Sequence, residues 1–68
     1  METKVARMEA FILKENPRFN FESIGLYDNF SLEKWYSVLT NYIYRKYEYI
    51  NFNKMFGITP EELRDVVG

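Results

Sequence analysis

The sequence predicts an all-α fold: a compact domain of three to four helices around one long central helix at about residues 31–50, with a short C-terminal helix pair. Three observations carry that expectation. Apolar residues recur at helical spacing in two long stretches. Start and stop residues bracket those stretches where a helix needs them. One short segment, near Phe19 and Phe21, alternates as a strand would, and a lone strand has no partner elsewhere in the chain.

Residues 3–15 read as the first helix. Thr3 is an N-cap residue whose hydroxyl can accept from an orphan backbone N–H. Val5, Met8, Phe11 and Ile12 form one stripe, flanked by Ala6 and Leu13. Asn16-Pro17 ends it, because proline has no N–H for the ladder and disfavours the α conformation of the residue before it. Residues 18–30 fit a short helix or irregular loop whose aromatics plug the core, with Gly25 and Asp28-Asn29 as turn residues.

Residues 31–50 read as the central helix, capped by Ser31 and with Glu33 placed to suit the positive end of the helix dipole. At about 100° per residue, Leu32, Leu39, Ile43 and Ile50 fall on one line. Tyr36 and Tyr47 flank that line on one side, and Trp35 and Tyr42 on the other. Asn41, Arg45, Glu48, Glu33 and Ser37 fill the opposite face. Residues 51–57 read as a short helix, or the frayed end of the central one, with Phe52, Met55 and Phe56 on one side and Gly57 ending it. Thr59-Pro60-Glu61-Glu62 then has the layout of a capping box with proline at the first helical position. Leu63, Val66 and Val67 give the last helix its packing face.

Composition narrows the chemistry. A chain of 68 residues reads as one domain, residues 1–68, and buries only about 60% of its unfolded surface, so its core must be built from large groups. Six Phe, six Tyr and one Trp supply them. There is no Cys and no His, which removes disulfides, the usual zinc ligands and the commonest general base. With no Gly-rich phosphate loop and no serine beside a base, neither catalytic residues, nor cofactor, nor metal is expected. No apolar run approaches the roughly 20 residues of a membrane span, so no membrane partner is expected. The N-terminus lacks the layout of a secretory signal, and a cytoplasmic location is the default expectation. Net charge is −1, which argues against a generic nucleic-acid coat. That charge is uneven: residues 31–56 have more cations than carboxylates, and residues 57–68 the reverse.

Two surfaces stand out. The first is a ridge of Trp35, Val38, Tyr42 and Tyr49 beside the core line of the central helix, with Arg45 and Lys46 next to it. Tyr and Trp anchor interfaces because they bury much area while keeping a polar tip wet. The ridge therefore predicts a binding surface for a larger protein partner or, alternatively, for a second copy in a homodimer; burial by the rest of the chain is the competing explanation. The second lies in residues 52–66, which resemble the two-helix core of a helix-turn-helix. Gly57 stands in the turn, and Phe52, Phe56, Ile58, Leu63 and Val66 stand at the apolar positions. That resemblance implies a DNA-binding transcriptional regulator that uses residues 52–67 and touches nucleic acid through Lys54, Thr59 and Arg64. Against it, Asn53 occupies a place where the motif has a small apolar residue, and Glu61, Glu62 and Asp65 would face phosphates.

The function expected from the sequence is thus a small non-enzymatic protein-binding regulator or inhibitor, with the helix-turn-helix reading as the alternative. Many Asn, Tyr, Ile, Phe and Lys residues fit an A/T-rich coding sequence, and a chain of this size and bias that starts at Met1 reads as a complete small frame of phage or mobile-element type.

Overall fold

The structure is a computed structural model and describes residues 3–47 and 49–68. Among these, four α-helices and one 3₁₀ turn occur and no strand: α1 Lys4–Glu15, the 3₁₀ turn Phe21–Ile24, α2 Leu32–Lys46, α3 Phe52–Phe56 and α4 Pro60–Val67. The all-α expectation holds. The Cα radius of gyration, 11.3 Å, is what a closely packed chain of this length gives, about 11 Å.

α1, α2 and α4 start at the caps read from the sequence, and Asn51 caps α3. The Thr3, Ser31, Asn51 and Thr59 side chains accept from the backbone N–H three residues on. At Thr59 the return bond from Glu62 completes the capping box. Asn16 is extended at φ −143° and ends α1 ahead of Pro17.

The core is one cluster. Val5, Met8 and Ile12 come from α1, Leu39 and Ile43 from α2, Phe52 and Phe56 from α3, and Leu26 and Ile58 from the connections. α1 lies against α2 and α3, while α4 closes on α2 and α3. Thr40 is the one buried polar residue among those described. It is fully covered, and its hydroxyl donates to the Tyr36 carbonyl at 2.6 Å.

Three expectations need correction. The central helix ends at Lys46 rather than near residue 50. The Tyr47 N–H still bonds the Ile43 carbonyl at 2.8 Å, but Tyr47 itself has left helical geometry, and Asn51 soon opens a new helix. The Asn51 cap opens a new helix within a stretch whose apolar spacing alone reads as continuous. As a result Tyr49 sits in the connection, 98% exposed, and not on a helical ridge. Ile50 likewise packs against the core from the connection. Leu32, projected onto the core line, is 68% exposed, because it belongs to the first turn of α2, where no neighbouring element covers it. Glu48, placed by the sequence on the polar face, lies outside the described residues.

The segment 18–30 is irregular around its 3₁₀ turn. Asn20 accepts from the Glu22 N–H, and Gly25 takes the left-handed conformation at φ 84°. This local hydrogen bonding overrides the strand-like alternation of Phe19 and Phe21. Their rings meet at 5.1 Å and lie against α2, Phe19 on Tyr42 and Phe21 on Trp35. The residue of this segment that enters the core is Leu26, which the sequence did not single out; the aromatics Phe19, Phe21 and Phe30 are half-buried and cover the core from its edge.

Candidate protein-binding groove

Beside the core line of α2, partly buried and exposed side chains form two neighbouring rows. Ser37, Asn41 and Arg45 are one i, i+4, i+8 series; Val38, Tyr42 and Lys46 are the next. Residues so spaced stack along one side of a helix. Together with Ile24 from the 3₁₀ turn, they line an open groove of about 440 Å³. That is the size range of sites that take a small ligand or a few protruding side chains.

Val38 and Ile24 are half-buried and supply the apolar part. Tyr42 is held by the Phe19 ring at 5.3 Å between centroids. The Lys46 ammonium donates to the Tyr42 hydroxyl at 3.3 Å, and that bond raises the lysine pKa above its ordinary value. The same ammonium lies 5.7 Å from the Tyr42 ring centroid and 6.0 Å from that of Tyr47, within cation–π range. Asn41 donates to the Ser37 carbonyl at 3.0 Å and, more loosely, to the Val66 carbonyl of α4 at 3.4 Å. The amide thus braces the groove against α4. Among the described residues no carboxylate lines it.

Four of the six interface residues suggested by the sequence therefore meet in one place: Val38, Tyr42, Arg45 and Lys46. Trp35 and Tyr49 do not line it. The Trp35 indole N–H donates to the Tyr27 carbonyl at 3.1 Å and its ring packs on Phe21, so Trp35 fastens the aromatic loop to α2. Sequence reasoning missed Ile24, which lay in the ambiguous loop, and Ser37 and Asn41, which it assigned to the solvated face. The i, i+4, i+8 series was the available signal for the last two.

The α3–α4 unit has a different character. Gly57 turns the chain at φ 72°, and its N–H bonds the Asn53 carbonyl at 2.9 Å. Lys54 and Arg64 are exposed. The Thr59 hydroxyl is already engaged: it accepts from the Glu62 N–H at 3.2 Å and donates to the Glu62 carboxylate at 3.3 Å. Exposed Glu61 and Asp65 flank Arg64 on α4. Glu62 also takes a 2.6 Å ion pair from Lys4 and a 3.2 Å bond from the Tyr36 hydroxyl. Those three side chains tie α1, α2 and α4 together.

Compared with protein-family models, curated proteins and solved structures, the chain matches none. Among the described residues, no helix is long and apolar enough to cross a membrane.

Proposed function

We propose that this chain is a small, non-enzymatic protein-binding regulator or inhibitor that engages a larger partner through the α2 groove. The observation that carries the reading is the convergence of Val38, Tyr42, Arg45 and Lys46, together with Ile24, on one open concavity of mixed apolar and cationic character. Interfaces combine these ingredients, an apolar and aromatic centre with a charged rim. A standard interface buries about 800 Å² on each partner, so the groove is the anchor point and the neighbouring surface of α2 and the aromatic loop supplies the remainder. The residue bias of the chain fits a phage or mobile-element source.

Site-specific photo-crosslinking tests the reading. A crosslinking residue at position 38, in the organism the chain comes from, is expected to give a discrete heavier adduct. The same residue at Leu13, an exposed position on α1, is expected not to give it. Identical products from both positions, or none from position 38, would sink the proposal. The helix-turn-helix alternative has the Gly57 turn in its favour and the carboxylates of α4 against it. A steep fall of DNA affinity with salt would bring it forward.

A further inference from the structure

We infer that the occupant of the α2 groove is an acidic, amphipathic segment of the partner: a carboxylate side chain next to an aliphatic or aromatic one. This rests on the docking role proposed above and adds the chemistry of what docks.

The argument is one of complementarity. One end of the groove is apolar, with Ile24 and Val38 beside the Tyr42 ring, whose position Phe19 holds. The other end carries Arg45 and Lys46, from the last turn of α2. Because they follow Asn41 and Tyr42 by one helical turn, a ligand lying along α2 meets both ends at once. The two cations stand in a protein of net charge −1, in a concavity that no described carboxylate lines. Among the described residues nothing lining the groove compensates their field, and the carboxyl-terminal end of the α2 dipole offsets it only in part. A carboxylate brought there gains charge-assisted hydrogen bonds, and a guanidinium can hold it in bidentate fashion. A purely apolar ligand would instead cover the two cations without pairing them, which costs desolvation. Nucleic acid would match the charge but has no use for the aliphatic floor, and the small number of cations gives little phosphate affinity. Asn41, between the two ends, offers its side-chain carbonyl oxygen to a peptide N–H, and Ser37, beside the apolar end, offers its hydroxyl.

The probe is a phage-displayed library of random short peptides selected on the intact protein. Enriched peptides are expected to pair Asp or Glu with a neighbouring Leu, Ile, Phe or Trp. A synthetic peptide of that kind is expected to lose about tenfold in affinity when its carboxylates become amides, and by a similar factor on the Arg45→Gln/Lys46→Gln double variant. Circular dichroism establishes that the variant is folded. If it is not, the salt dependence of the unaltered protein decides the same point, since surface ion pairing weakens as salt rises. Enriched peptides without acids, or affinities indifferent to both charge changes and salt, would overturn the inference while leaving position-38 crosslinking to judge the docking role. A selection that enriches nothing also overturns it. So would a protein dimer that dissociates in the double variant, because a second copy would then occupy the groove.

Discussion

The Glu62 carboxylate accepts from Lys4 of α1 and Tyr36 of α2 while closing the cap of its own helix. The Lys4 hydrogen bond is the main reason its pKa lies below the ordinary 4.5; the Thr59 backbone and the Tyr36 hydroxyl add to it, against partial desolvation. A carboxyl held low binds fewer protons folded than unfolded as the pH falls below its ordinary value. Its stabilisation is therefore complete above about pH 4.5 and is lost as the pH falls through the folded pKa. Glu62→Gln is expected to lower the melting temperature at neutral pH, and the gap to the parent protein should close as acid protonates Glu62. A gap that stays constant with pH would mean that the ion pair contributes nothing. Glu9, raised by desolvation, slopes the other way, so the comparison has to be parent against variant. At the alkaline end, Tyr36 is raised above 10.0 by burial first and by the Glu62 charge second, so its contribution is lost as the pH rises through the folded value. The sequence identifies Glu62 as a capping residue from Thr59-x-x-Glu62 spacing. Its pairing with Lys4 and Tyr36 spans 58 and 26 residues, and no local pattern encodes it.

At the scale of elements, starts were legible and one stop was not. The N-caps Thr3, Ser31 and Thr59 act through side chains that bond within three residues, so the sequence displays them directly. Gly57 was legible for a related reason. Its φ of 72° lies in the left-handed region, where a Cβ meets its own backbone. Nothing surrounds the place a Cβ would occupy, so Gly57→Ala isolates that conformational cost. It is expected to be about 1 kcal/mol, lowering the melting temperature by about 4–8 °C in a domain this small. An unchanged melting temperature would show that the turn relaxes out of the left-handed region. The end of α2 was hidden because apolar spacing continues through Tyr47 and Ile50. Only the cap at Asn51 and the packing of α3 on α1 divide the two helices. That division separates Tyr49 from the groove and leaves Arg45 and Lys46 in a last helical turn, where they also complement the helix dipole.

For the whole molecule, the apolar residues at stake are two leucines: Leu32, which the sequence placed on the core line, and Leu26, to which it gave no role. Leu26, in the irregular loop, is 1% exposed and sits in the central cluster; Leu32, on the expected core line, is two-thirds exposed. Leu26→Ala is expected to cost about 2–5 kcal/mol, enough to unfold much of so small a domain. Leu32→Ala should stay within about 0.5 kcal/mol. Urea denaturation followed by circular dichroism separates the two, and equal midpoints would contradict this arrangement of the core. The sequence by itself determined the helical class, the order of the helices, most of their ends and the α1 stripe. All of these depend on spacing and hydrogen bonds within a few residues. Which faces became core, which became groove and where the aromatic loop rests were decided by tertiary structure. Burial depends on what lies across from a side chain, and for Leu32, Ile24 and Asn41 that neighbour, or its absence, comes from distant parts of the chain.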